Sequence, residues 1–308
     1  MPAVPCSHGQ IRARNTHKGG DLFRTDGTSR VHQNFCHQEK RMRLRKFFSC
    51  CIALLFCLAI SAPAFSAPLT KVRTAWMDEH ETFLIWYAKE KGWDKEVGLD
   101  IEILYFGSGM AILNALPAGE WVFAGMGAVP AMMGALRYNT YVIGNANEEA
   151  LINRVLVRPD SPIAKVKGWN KDYPDVLGSP ETVKGKTFLT TTVSSAHYAL
   201  SVWLRVLGLT EKDIVIKNMD QAQALSAFEN GIGDGAVLWA PHAYVGEAKG
   251  WVLAGNPKLC KLASPCVLVA DRKYADAHPD VTAKFLSIYL RAANMLQKEP
   301  LESLVPEY

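Results

Sequence analysis

The sequence predicts an α/β protein with parallel sheets covered by helices on both faces. Three observations carry that prediction: a basic, apolar leader unlike the rest of the chain, a regular alternation of strand-like and helix-like segments after it, and small residues at the strand-to-helix junctions. With 308 residues, 49% hydrophobic and 21% charged, the chain is long enough for two domains. It is too mixed for a collagen, a disordered tail or a polytopic membrane protein.

The leader comes first. Residues 1–67 hold 10 Lys+Arg against 3 Asp+Glu, and the remainder holds 24 against 27. The net +4 therefore belongs to the leader, and nothing in the body suggests a nucleic-acid surface. From Phe47 to Ile60 runs FFSCCIALLFCLAI, preceded by Arg43, Arg45 and Lys46 and followed by SAPAFSAP. A charged start, a short apolar stretch and small residues make a secretory signal peptide. About 14 helical residues reach only about 21 Å, short of a hydrocarbon core of roughly 30 Å. Residues 42–67 are thus expected to be removed, with cleavage after Ala64 or Ser66. Residues 1–41, without apolar periodicity, read as an upstream extension ahead of a start at Met42. The expected location is the periplasm.

After the leader, VRTAW (72–76) leads to a helix over 82–93, then LDIEILYF (99–106) and a helix from Met110 to Leu116. WVFAGM (121–126) leads to a helix over 129–138, then YVIGNA (141–146) and LINRVLVRP (151–159). KTFLTTT (186–192), a helix over 196–208, DIVIKNM (213–219) and a helix over 222–231 follow. GAVLWA (235–240), a helix over 243–250, WVLAG (251–255), CVLVAD (266–271) and an amphipathic helix over 281–297 complete the series. Alternating units of this length imply βα crossovers, with the loops after the strands along one edge. The Pro-, Gly- and Lys-rich stretch 160–181 reads as an irregular connection and a boundary between lobes.

Three junctions share one chemistry. Gly107-Ser108-Gly109, Gly127-Ala128-Val129-Pro130 and Thr190 to Ser195 each precede a helix and leave first-turn amides facing small residues. Such ends suit an anion. Taken alone, Ser194 and Ser195 read as helix caps. The first strand ends instead in Trp76-Met77-Asp78-Glu79-His80-Glu81. Acidic residues at a helix start are stabilised by its dipole, and three carboxylates in four positions also suit a cationic group. These residues lack a His pair at i,i+4, so no metal site is expected. Ser195 and His197 lie two apart at a helix start and face different ways, which argues against a nucleophile pair. Trp239, just after a strand, stands where it could wall a pocket. No phosphate-loop, GxSxG or HExxH motif occurs, so neither an enzyme nor a cofactor is expected. Beyond the leader only Cys260 and Cys266 remain, and in an oxidising compartment that spacing predicts a local disulfide.

The segments AWMDEHETF, GSGMAILNALPAGE, GMGAVPAMM, TTVSSAHYAL and DGAVLWAPHAYV resemble the periplasmic solute-binding proteins of ABC importers for nitrate, sulfonates and taurine, over about Lys71 to Tyr308. The resemblance implies a two-lobed type II periplasmic-binding-protein fold, with mixed sheets flanked by helices and a two-strand hinge. Its chain crossings fall near 152–160 and 264–270, giving lobe one as 68–158 plus 265–308 and lobe two as 159–264. The matching binding positions are Trp76, Glu81, Gly109, Met110, Ala128, Ser194, Ser195, His197 and Trp239, and Asp78 is expected to assist Glu81. An acidic residue at Glu81 implies a taurine-like aminosulfonate. The rivals are nitrate, an amine-free alkanesulfonate and a larger aromatic or amine ligand. The partners implied are a small anionic or zwitterionic ligand and an inner-membrane permease and ATPase complex, with the receptor itself a monomer. A pyrimidine-synthase-like enzyme on the same fold is the competing class and would need His197 as its reactive group. The sequence ends at Pro306-Glu307-Tyr308, where the resemblance expects further helix.

Overall fold

Short apolar runs bounded by Gly, Pro and Asn become strands, and longer amphipathic runs become helices. The computed structural model describes residues 68–304 and 306. The expected extension and signal peptide lie outside the described residues.

The strands are β1 (Thr70–Met77), β2 (Leu99–Phe106), β3 (Phe123–Gly127), β4 (Thr140–Glu148), β5 (Arg154–Val157), β6 (Thr187–Thr190), β7 (Val215–Asn218), β8 (Gly235–Leu238), β9 (Val252–Gly255) and β10 (Pro265–Asp271). The helices are α1 (Phe83–Glu90), α2 (Trp93–Glu96), α3 (Gly109–Ala115), α4 (Ala128–Arg137), α5 (Pro180–Val183), α6 (Ser195–Val206), α7 (Gln221–Glu229), α8 (His242–Ala248), α9 (Arg272–Ala277), α10 (Pro279–Leu296) and α11 (Leu301–Leu304).

Among the described residues the strands form two five-stranded sheets, ordered β2-β1-β3-β10-β4 and β7-β6-β8-β5-β9. Both sheets are mixed, as the resemblance implies and unlike the parallel sheets that the alternation alone suggests. β1 runs parallel to β2 and β3, and β6 parallel to β7 and β8. β10 is antiparallel to β3 and β4, and β5 to β8 and β9. Each sheet therefore takes its antiparallel strand from a segment that has just crossed from the other.

Those crossings fall between Glu148 and Arg154 and between Gly255 and Pro265. They run side by side: the Glu149 amide donates to the Ser264 carbonyl at 2.8 Å, and the Ser264 amide donates to Glu148 Oε1 at 2.7 Å. The 160–181 stretch is not the boundary. It packs on sheet two, where the Leu177 amide donates to the Ala254 carbonyl at 2.8 Å and Trp203 Nε1 donates to the Leu177 carbonyl at 3.0 Å.

Burial follows position in the sheet. On edge strand β2, Leu99 and Ile101 are buried while Asp100 and Glu102 face outward, the alternation of a half-covered strand. Central β3 is buried at every position. Helix α10 buries Val281, Phe285, Ile288, Tyr289 and Ala292, one stripe at helical spacing. Against it stand Trp76, stacked on Tyr289 with centroids 6.0 Å apart, and Phe123, stacked on Phe285 at 4.4 Å. A second apolar cluster is continuous from Met77 and Met126 on sheet one and Ile112 on α3 to Trp203 on α6 and Trp239 just after β8.

The cysteines also differ from expectation. Both Cys260 and Cys266 are free, buried thiols. Cys266 lies on central strand β10, opposite Gly127 and Asn147. Cys260 sits in the turn after Asn256, near Arg205. Ser264, which ties the two crossings, holds the chain between them. Burial pushes the Cys260 thiol up to about 12.

The fit of Trp76 is tight: a Cβ added at Gly125 would lie 2.3 Å from its ring. Gly125→Ala is expected to cost about 1–3 kcal/mol by overpacking, read as a lower urea midpoint with an unchanged slope.

Candidate functional site

β1 delivers its side chains alternately to the two faces of sheet one. Met77 faces sheet two, so Trp76 faces α10. Beyond Met77 the chain folds into a single 3-10 turn, His80–Thr82, fastened by the Thr82 hydroxyl donating to the Met77 carbonyl. The turn carries Glu79 and Glu81 inward, 8% and 4% exposed, and leaves Asp78 outside.

Two further residues arrive from the first crossing. Glu149 is 4% exposed and Asn153 fully buried, and Asn153 Nδ2 donates to the Glu149 carbonyl at 3.2 Å and to its Oε2 at 3.4 Å. Sheet two contributes Ser194 and Ser195 at the start of α6 and Trp239 at the end of β8. Together with Gly109, Gly127 and Pro130 these residues line a cavity between the sheets of about 20 Å³. The helix starts do converge. A Cβ on Gly127 would lie 1.9 Å from Ser195 Oγ and 3.6 Å from Glu149 Oε2, and one on Gly109 would lie 2.5 Å from Pro130.

The cavity is strongly acidic. Burial first, and then neighbouring carboxylates, hold Glu79 and Glu81 well above the usual carboxylate range. The Glu149 carboxylate adds to the rise at Glu81, and the Cys266 thiol opposes it. Burial lowers His80, opposed by Glu149. His80 Nε2 lies 3.9 Å from Glu149 Oε1, and Nδ1 lies 3.8 Å from Glu79 Oε2. Among the described residues, no Lys or Arg pairs with Glu81 or Glu149.

Of the positions expected from sequence, Glu81, Gly109, Ser194, Ser195 and Trp239 line this cavity. Trp76 does not, because strand parity turns it into the α10 core. Asp78 is exposed. Met110 packs at the edge of the larger cluster, and Ala128 is half-buried beside the cavity without lining it. His197 is turned away: its Nδ1 accepts from the Val193 amide at 3.2 Å, and Nε2 lies 3.2 Å from Glu211 Oε1. Ser194 caps α6, its Oγ accepting from the His197 amide at 3.2 Å and donating to the Thr191 carbonyl at 2.6 Å. Its hydroxyl is committed, and Ser195 is the serine left to face the gap. Glu149 and Asn153 were missed in the sequence. The signal was present in NEEALIN (147–153), an acidic pair where an apolar strand stops.

The profile of the NMT1-like family matches residues 66–304. The chain is 30% identical over 253 residues to a protein of Brachyspira hyodysenteriae named as a candidate ABC transporter periplasmic binding protein, covering 81% of this chain and 72% of that one. It is 24% identical to the taurine-binding periplasmic protein of Escherichia coli, covering 74% and 67% of the two chains. In fold it is similar to the crystal structure of the periplasmic aliphatic sulphonate binding protein of Escherichia coli, with TM-score 0.63 at 20% identity, covering 78% and 77%.

The raised Glu81 has a definite sign in stability. The folded state holds its proton above the ordinary value of 4.5, where the unfolded state has released it, so stability is lost as pH rises through that window. Glu81→Gln removes this penalty while keeping a donor toward Glu149. It is expected to raise the melting temperature of the empty protein at pH 7.5 by roughly 3 °C or more, with the gain shrinking toward zero near pH 4.5 in a calorimetric pH series.

Proposed function

The chain belongs to the NMT1-like family, and on that basis we propose that it is the periplasmic substrate-binding component of an ABC importer, capturing a small zwitterion of the aminosulfonate type. The observation that carries this reading is the meeting of buried carboxylates and converging helix starts in one cavity. Glu81 and Glu149 would take an ammonium group. The first-turn amides of α4 and α6, with the Ser195 hydroxyl, would take a sulfonate. A buried carboxylate left without a counter-charge is costly, so ligands lacking the amine are discriminated against. Nitrate and simple alkanesulfonates are the weaker candidates for that reason.

A cavity of about 20 Å³ holds one or two waters, less than an aminosulfonate needs. Entry would require the two lobes to part about the paired crossings, and the ligand would favour the closed population that a permease and its ATPase recognise. The enzyme alternative loses its reactive group, since His197 lies against Glu211 outside the cavity.

Titration calorimetry with taurine is the test. Glu81→Gln is expected to weaken taurine at least tenfold while an amine-free alkanesulfonate is little changed, and equal losses for both would reject the salt bridge. Ser195→Ala should weaken both ligands several-fold. Ser194→Ala should leave their ratio untouched and cost about 1 kcal/mol of stability through the lost cap.

A further inference from the structure

We propose that His80, Glu81 and Glu149 form a binding site for a divalent transition-metal ion of the Zn²⁺ class. One donor atom from each of the three lies within 4.8 Å of the others. Donors held about 2.1 Å from one tetrahedral ion stand about 3.4 Å apart, so the set closes with side-chain rotations that move the donor atoms by about an ångström. One imidazole with two carboxylates is a donor set for Zn²⁺ and its first-row neighbours, and the imidazole makes it a poor one for Mg²⁺ or Ca²⁺. The donors also come from two independent segments, the turn after β1 and the first crossing, so no single stretch of local structure accounts for their meeting.

A second observation points to a ligand at the same place. Asn153 is fully buried and lines the cavity, yet its Oδ1 has no hydrogen-bond partner among the described residues. Its Nδ2 is fixed on Glu149, which commits the amide and leaves the oxygen for a guest or for a water on that guest. Glu81 Oε2 is likewise without a partner among the described residues. Buried polar atoms are seldom left in this state. The cavity of about 20 Å³ has room for an ion with one water. His80, with 36% of its side chain exposed, stands where the site meets solvent.

This inference goes beyond the zwitterion reading. Metal and ammonium compete for Glu81 and Glu149, so a metal-loaded cleft excludes the amine, and the two readings fail separately. The test is calorimetry of the purified, chelator-treated and dialysed protein with Zn²⁺, alongside Co²⁺ absorption in the visible. One equivalent of Zn²⁺ is expected at a Kd of about 10 μM or tighter, and it should weaken at least tenfold in His80→Ala and in Glu149→Gln. The Co²⁺ bands should vanish with it. If Glu149→Gln does not fold by circular dichroism, His80→Ala decides, since that side chain is partly in water. Zn²⁺ stoichiometry and affinity unchanged in His80→Ala would overturn the site. Taurine binding to the metal-free protein without any Zn²⁺ binding would overturn this inference and leave the proposed function standing.

Discussion

Everything at the centre of this molecule depends on keeping Glu81 and Glu149 out of water side by side. Water can no longer screen them there, and no Lys or Arg pairs with either among the described residues. Such a pair is tolerated only when something else carries positive charge, a proton or a guest. The surrounding structure is arranged to hold the pair nonetheless. The Thr82 hydroxyl fixes the turn that presents Glu81, the Asn153 amide holds Glu149, and the Cys266 thiol supports Glu81 from below.

The position of Glu149 matters as much as its charge. It lies on the first crossing, its amide bonded to Ser264 on the second, so one residue belongs both to the cavity and to the link between the sheets. Whatever neutralises it acts directly on the segment about which the lobes would move. Ser195, on the far wall, reports the other side of the same gap, with Gly127 small enough to let the two walls meet. The helix starts supply partial positive charge, and the carboxylates supply negative charge once a guest displaces the proton they hold. A guest with its own charge separation, as proposed above, would be held in one orientation.

Much of this was legible in the sequence, and the remainder was hidden for identifiable reasons. The strands announced themselves as apolar runs, and β2 coincides with LDIEILYF. Strand direction leaves no trace in periodicity, so the antiparallel placing of β5 and β10 is legible only through the family resemblance, which implies mixed sheets. The parity of β1 could have placed Trp76 in the core, since Met77 has to face the opposite way. The exchange of Asp78 for Glu79 could not be seen, because a 3-10 turn breaks the alternation that a strand would have continued. Glu149 and Asn153 needed the place of the crossing, which is set by long-range pairing. The expected disulfide rested on spacing alone and ignored that Cys266 lies in a central strand facing Glu81.

The borrowed strands have a consequence for the order in which the molecule can assemble. Sheet two owns all five of its strands once Gly255 has emerged, since β5 precedes the rest. Sheet one does not: β4 has no neighbour in that sheet except β10, and β10 begins about 120 residues later, at Pro265. A chain delivered from its N-terminus would complete its second half first and hold an unpaired edge open in the first. Closing that edge would draw Cys266 beneath Glu81, which would put the acidic floor of the cleft among the last features of the native state to form.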